Sequence, residues 1–271
     1  MPAITIRALT SYLDSIAPPV YQESYDNVGL LVGNPDDEVK GVLICLDSTE
    51  AVVEEALAKS CNIVVAHHPI IFKGLKRLTG HNYVERTVLK AIKNDVAIYA
   101  IHTNLDNMYY RGVNAKIAEV LGLTGTRLLA PKQVQSNGDN ADPTIGAGMI
   151  GQLPQPMQEE AFLQYLKKIM KAGCVKHTAL RGKSIHSVAV CGGSGAFLLP
   201  DAIARQADVF VTSDMKYHEF FDADGKIVIA DIGHFESEQF TIELLSEIIS
   251  EKFANFAVHC AEVITNPVQY L

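Results

Sequence analysis

The chain has 271 residues, 48% hydrophobic and 20% charged, a composition typical of a globular protein with one large domain or two modest lobes. Its formal charge of −8 argues against nonspecific nucleic-acid binding, which depends on neutralising many phosphates. No apolar run approaches the ~18 residues of a membrane helix, and Met1-Pro2-Ala3-Ile4-Thr5-Ile6-Arg7-Ala8 lacks the charged and unbroken apolar regions of a signal peptide. The cytoplasm, with no membrane partner, is expected.

In chain order, Ile4, Ile6, Leu9, Leu13 and Ile16 repeat at helical spacing over 4–16, and Pro18-Pro19 stops that helix. A buried strand follows over 42–46, then a helix over 49–59 with Ser48 or Thr49 as its N-cap. A second strand over 63–66 runs into His67-His68-Pro69. The next loop is rich in glycine and lysine (Lys73-Gly74-Leu75-Lys76-Arg77) and reads as solvated. A helix over 83–92 precedes a strand over 96–101 that ends at His102, and a helix over 113–121 is closed by Gly122. This alternation predicts an α/β fold with a largely parallel sheet covered by helices. Residues 131–143 are polar and turn-rich and predict a surface loop at a lobe boundary. Beyond them lie strands at 144–150 and 187–191 with a helix over 159–170 between. A helix over 200–206, strands at 209–212 and 227–230, one long closing helix over 235–252 and a strand over 254–260 complete the chain. The first lobe is therefore expected over 1–130, completed by 235–271, and the second over 131–234. No fixed-period repeat is present.

Cys45, Cys61, Cys174, Cys191 and Cys260 form no C-x-x-C pair and read as free thiols. The polar chemistry gathers instead at predicted strand ends, where open α/β sheets bind ligands. Adjacent imidazoles at His67 and His68 suggest two nitrogen ligands aimed at one metal site or at two neighbouring metals. His102 and Asp106 follow another strand; a lone histidine such as His102 is ordinarily a satisfied polar residue. His234 and Glu238 stand four apart at a helix start, which places both on one face, one turn apart. Mixed imidazole and carboxylate donors suit zinc, iron, manganese, cobalt or nickel without choosing among them. Asp106 and Glu238 are the candidates for bridging two metals, the arrangement of many hydrolytic sites. His81, His177, His186, His218 and His259 lack partner spacing and read as surface or core residues. Gly192-Gly193-Ser194-Gly195 follows a strand and precedes a helix, so its backbone N–H groups are candidates for holding a phosphate, with a plain tight turn as the competing reading. Lys73, Lys76 and Arg77 would attract an anionic substrate if they faced the site, and Asp214 with Lys216 and His218 are candidates for facing it as well.

Six stretches in order carry a resemblance over residues 4–263. They are Asp26-Asn27-Val28-Gly29-Leu30-Leu31-Val32-Gly33, Ala66-His67-His68-Pro69-Ile70-Ile71-Phe72, His102-Thr103-Asn104-Leu105-Asp106, Gly192-Gly193-Ser194-Gly195, Thr212-Ser213-Asp214-Met215-Lys216-Tyr217-His218 and Gly233-His234-Phe235-Glu236-Ser237-Glu238. Together they resemble the dinuclear metal centre proteins, also described as GTP cyclohydrolase 1 type 2 homologues or interacting-factor-three-like proteins. The resemblance implies two α/β lobes with a dimetal site in the cleft between them. It implies two divalent metal ions held by His67, His68, Asp106, His234 and Glu238, with His102 near the site and a metal-bound water as the nucleophile. Gly193, Ser194, Gly195, Asp214 and Lys216 are the candidate substrate-binding residues. A homo-oligomer, a hexameric ring, is implied too. The short stretch between Asp106 and His234 leaves no room for the large inserted domain that some members carry. The expected function is metal-dependent hydrolysis of a nucleotide or pterin-like ring. The alternatives are a metal-handling protein without turnover and a regulatory oligomeric binding protein.

Overall fold

The computed structural model describes residues 3–132 and 144–271. Most of the expected boundary loop at 131–143 lies outside the described residues. In chain order the elements are α1 (Ile6–Ile16), β1 (Gly29–Val32), β2 (Gly41–Cys45), α2 (Glu50–Ala58), β3 (Ile63–Ala66), α3 (Tyr83–Lys93), β4 (Ala97–Ala100), α4 (Thr103–Asp106), α5 (Val113–Val120) and β5 (Thr124–Pro131). They continue with β6 (Gly146–Gln158), α6 (Glu159–Ile169), β7 (Lys176–His177), β8 (Ser184–Ser194), α7 (Leu199–Ala204), β9 (Val209–Ser213), β10 (Val228–Asp231), α8 (His234–Glu238), α9 (Thr241–Lys252) and β11 (Ala257–Cys260). Two compact units result: Met1–Leu105 with Thr241–Pro267, and Asp106–Phe240 with Val268–Leu271. Among the described residues no helix is long and apolar enough to cross a membrane.

The first unit is built on a five-stranded sheet in the order β1-β4-β3-β2-β11. β2, β3, β4 and β11 are parallel, and β1 runs antiparallel to β4 at the edge. Every residue of β2 and β3 is buried, which explains why both read as unbroken apolar runs rather than alternating ones. Leu43, Cys45, Val64 and Ile98 of the sheet share one buried cluster with Val52, Val53, Val88 and Ala91 of α2 and α3. Each such aliphatic side chain contributes roughly 1.5–3 kcal/mol when fully buried. Elsewhere in the unit Tyr12 of α1 donates to Ile248 O of α9 at 3.3 Å and sets its ring edge-on to Phe253. Thr49, not Ser48, caps α2, accepting from Val52 N at 3.3 Å.

Strand register aligns the site. Cys45 pairs with Ala66 and Ala66 with Ala100, so β2, β3 and β4 finish level with one another. The ladder continues beyond the strands, with His67 N donating to Cys45 O at 3.1 Å and His68 N to Leu46 O at 2.8 Å. Because β1 is antiparallel, its first residue, Gly29, lies opposite Ala100 at this same edge. The segment entering β1 and the segments leaving the parallel strands therefore share one end of the sheet.

The second unit carries a six-stranded sheet in the order β5-β6-β8-β9-β10-β7. β8, β9 and β10 are parallel, while the β5/β6, β6/β8 and β10/β7 pairs are antiparallel, so this sheet is mixed. Leu129, Ile150, Ala189, Phe210 and Ile229 of the strands pack with Leu198, Leu199 and Ala202 around α7. The buried Glu159 at the start of α6 accepts from Arg181 N and Gly182 N, each at 2.8 Å, and pairs with the Arg181 guanidinium at 3.4 Å.

Two expectations require correction. The single helix over 235–252 is two helices, α8 and α9, separated at Gln239 and Phe240. Gln239 Nε2 donates to Met170 O at 2.9 Å, and Lys171 lies over the buried Phe240 ring at 5.4 Å. Those contacts, both to the end of α6, hold the two residues in the second unit, and the next unit boundary follows at once. The first crossing also falls earlier than expected, at Leu105–Asp106 within α4. β5 belongs to the second unit because it pairs with β6, and α5 because Val113 and Ile117 lie against Gly192. β1, β5 and the two-residue β7 are strands that the sequence reading does not anticipate.

Candidate metal centre

In the first unit, His67, His68 and His102 gather at the carboxyl edge of the sheet. Each offers a ring nitrogen, and these atoms lie within 4.8 Å of one another. Every Nδ1 is engaged on its far side. His67 Nδ1 meets Ile101 O at 2.9 Å, His68 Nδ1 meets Asp47 Oδ1 at 2.8 Å, and His102 Nδ1 meets Asp26 Oδ1 at 2.9 Å. A carbonyl or carboxylate oxygen can only accept, so in each neutral ring Nδ1 carries the proton and Nε2 keeps the lone pair. This is the usual arrangement of metal-ligating histidines, whose other ring nitrogen is held by an acceptor that sets tautomer and orientation. The donor set therefore fits a first-row divalent ion.

Asp26 precedes β1. Its buried carboxylate also accepts from Asn27 N at 2.7 Å, from Thr103 N at 3.0 Å and from the Thr103 hydroxyl. Burial alone would raise its pKa, but the bonds from His102 and Thr103 outweigh burial and hold it at about 2. Asp47 follows β2, and its second oxygen accepts from the Thr265 hydroxyl at 2.7 Å. Phe72, on the loop after the His pair, sets its half-exposed ring edge-on to His102 at 5.7 Å. Lys73, Lys76 and Arg77 on the same loop are exposed.

In the second unit, α8 places His234 Nε2 3.1 Å from Glu238 Oε2, the spacing of one helical turn. Asp214, which follows β9 with φ at +57°, meets His234 Nδ1 at 2.5 Å. Burial disfavours the imidazolium, yet Asp214 and Glu238 prevail and push His234 up to about 11. Glu238 itself is 2% exposed. Asn114 ties the backbone around the site, its Nδ2 donating to the backbone carbonyl of Asp106 at 3.1 Å while its Oδ1 accepts from Gly192 N at 3.0 Å. Burial, then the charges of Asp106 and Glu238, push the Cys191 thiol up. An imidazole flanked by one carboxylate on Nδ1 and another beside Nε2 is a pair that a divalent ion could bind in place of the proton.

In the glycine-rich stretch the backbone of Gly193 is bonded within the protein. Gly193 N donates to Ser237 Oγ at 2.9 Å, and Gly193 O accepts from Thr212 Oγ1 at 3.2 Å. A Cβ on Gly193 would lie 2.4 Å from Glu238 Oε1, so the missing side chain makes room for that carboxylate. A Cβ on Gly195 would come 2.4 Å from Thr212 Oγ1, and Ser194 continues β8 opposite Ser213. Lys216 is 85% exposed and pairs with Glu219 at 3.9 Å. Sequence reasoning missed Asp47 and Asn114, and it quoted Asp26 and Ser237 without their partners. Of these, Asn114 left a trace, as a polar residue among the apolar positions of an amphipathic helix.

The family model of Duf34/NIF3 (NGG1p interacting factor 3) matches residues 4–267. A protein of Clostridium acetobutylicum named GTP cyclohydrolase 1 type 2 homolog is 30% identical over 246 residues, 90% of this chain and 89% of the relative. A protein of the same name from Lactococcus lactis is 32% identical over 250 residues, 89% of this chain and 90% of the relative. Among solved structures, a hypothetical protein of Staphylococcus aureus superposes with a TM-score of 0.91 at 32% identity, covering 100% of both chains. A Bacillus cereus protein related to NIF3 superposes at 0.90 with 26% identity, again over 100% of both chains.

Proposed function

Because this chain belongs to the Duf34/NIF3 family, we propose that it is a dinuclear-metal-binding hydrolase acting on a nucleotide or pterin-like ring, as the name of its relatives suggests. The observation that carries the metal part of this reading is the triple imidazole cluster, in which each Nδ1 is held by an acceptor. His67, His68, Asp106, His234 and Glu238 would hold two divalent ions, with His102 beside them. Zinc, iron, manganese, cobalt and nickel all suit these donors. When bound, such ions supply a water nucleophile near neutral pH and polarise the atom under attack.

The protein's own groups supply position and charge. Asp26 keeps His102 protonated on Nδ1, so that its Nε2 can accept a proton at the site. The exposed ring of Phe72 beside His102 offers a flat apolar contact to a planar substrate. Lys73, Lys76 and Arg77 would draw in an anion, on a chain whose overall charge is −8. The proposed assembly is a homo-oligomeric ring.

The test is elemental analysis of the purified protein followed by turnover assays on GTP, other nucleotides and cyclic amides. The expected result is about two metal ions per chain and turnover, both reduced in His68→Ala. Turnover that survives complete metal removal would overturn the mechanism. Stoichiometric metal without turnover of any of these substrates would replace hydrolysis with metal handling.

A further inference from the structure

One hydrogen-bonded chain at the sheet edge of the first unit lies behind the metal-facing histidines. Thr265 Oγ1 donates to Asp47 Oδ2 at 2.7 Å, and Asp47 Oδ1 accepts from His68 Nδ1 at 2.8 Å. The three residues follow three neighbouring parallel strands, β11, β2 and β3. The sheet order therefore places them side by side, although Thr265 and Asp47 are 218 positions apart in sequence.

The geometry divides the two oxygens of Asp47 between two tasks. One oxygen takes the hydroxyl of Thr265, and the other takes the imidazole N–H. A carboxylate held on its far oxygen resists rotation away from the ring, so the bond to His68 keeps its direction. The side chain of Asp47 is 38% exposed, unlike a carboxylate buried for packing. An exposed aspartate fixed by two directional bonds is better explained by what it orients than by what it fills. The three first-unit histidines also differ in their backing. His67 is held by a backbone carbonyl, Ile101 O, which exerts a weaker pull on the ring proton than a carboxylate does. Asp26, behind His102, is bound up with the backbone of Asn27 and Thr103 as well.

We propose that Asp47 is a positioning residue that holds His68 in its metal-binding orientation and tautomer, and that Thr265 in turn holds Asp47. The inference rests on the reading of His68 as a metal ligand given under Proposed function. It makes His68 a stronger nitrogen donor than its neighbour His67, because a carboxylate partner raises the basicity of the opposite nitrogen.

The experiment uses the full chain, stripped of metal and titrated with Co(II) against a competing chelator. In parallel, long-range ¹H–¹⁵N spectra of the metal-free protein read the tautomer of His68. Asp47→Ala is expected to weaken cobalt binding about 10- to 100-fold, the usual cost of losing such a partner. Asp47→Asn, which keeps an acceptor oxygen, should lose less. Thr265→Val, a near-isosteric change, should shift affinity in the same direction by a smaller factor. Asp36→Ala, at an exposed aspartate paired with Arg7, should leave cobalt affinity unchanged. Wild-type His68 should carry its proton on Nδ1, and Asp47→Ala should shift it toward the other tautomer. Unchanged cobalt affinity in both Asp47 variants, with the Nδ1–H tautomer retained, would overturn the proposal. A wild-type protein that takes up no cobalt would sink the metal reading itself. The metal-free spectra then separate the two claims, since a retained tautomer in Asp47→Ala removes the positioning role as well.

Discussion

Gly193→Ala isolates the fit between the glycine-rich stretch and Glu238. The new Cβ would fall 2.4 Å from Glu238 Oε1 and 3.4 Å from His234 Cε1, where ordinary contact begins at 3.4 Å. The carboxylate must therefore retreat by about 1 Å, and an error of that size in a ligand set is costly. The backbone adds a separate term, because φ at Gly193 is +65° and a non-glycine residue there costs roughly 1–2 kcal/mol. Gly225→Ala separates the two effects. Gly225 has the same φ of +65°, with nothing within 4 Å of a built Cβ. Both variants should lose comparable stability to the backbone, about 2–4 °C in Tm for each kcal/mol in a unit of this size. Gly193→Ala alone should weaken metal binding, by about 10- to 100-fold, as expected when a ligand's support is disturbed. Thermal melts of the metal-free protein and chelator competition measure the two quantities. Equal metal affinity in the two variants would refute the claim that Gly193 exists to seat Glu238.

Further outcomes follow from polar groups away from the centre. Glu85 accepts from Thr79 N at 2.8 Å, Thr79 Oγ1 at 2.9 Å and His81 N at 3.1 Å, and these bonds hold its carboxyl at about 2. Its folded pKa lies below the unfolded value of roughly 4.3, so its stabilisation is complete above that pH and fades as pH falls toward 2. The Tm gap between wild type and Glu85→Gln should therefore narrow across that window; a constant gap would count against it. Arg181→Ala removes the guanidinium beside buried Glu159, together with bonds to Lys226 O at 2.6 Å and Asp208 O at 2.9 Å. Breaking one side of a buried pair costs about 3 kcal/mol, and a urea denaturation midpoint indistinguishable from wild type would contradict the assignment.

The strands legible in sequence at their sharpest are those buried on both faces, although the edge strand β11 is legible too. β3 was read at its observed bounds because Ile63-Val64-Val65-Ala66 is an apolar run closed by a change to histidine. β1 and β5 escaped because they are edge strands with partly exposed residues, so neither an unbroken run nor a clear alternation marks them. The long helix over 235–252 was read as continuous because Gln239 and Phe240 are ordinary helix residues. Their departure comes from contacts with Met170 and Lys171, far away in sequence. Local propensity gives way to tertiary contact at this position.

The histidines were visible because two adjacent imidazoles need no knowledge of topology to be noticed. Their supporting aspartates were not, because strand order decides which residue stands behind which ring. Asp47 lies 21 positions before His68 and meets it because β2 is the neighbour of β3. Asp26 lies 76 positions before His102 and meets it because β1, running antiparallel, enters the sheet where β4 leaves it. A different strand order built from the same segments would keep every candidate ligand in the sequence and lose both pairings. The candidate ligand residues alone therefore specify donor chemistry, while tautomer and direction are properties of the sheet. Substitutions at Asp47, behind the proposed ligand His68, should for this reason change how tightly metal is held without changing which atoms could hold it, a distinction that affinity and donor-type spectroscopy on cobalt-loaded variants can draw separately.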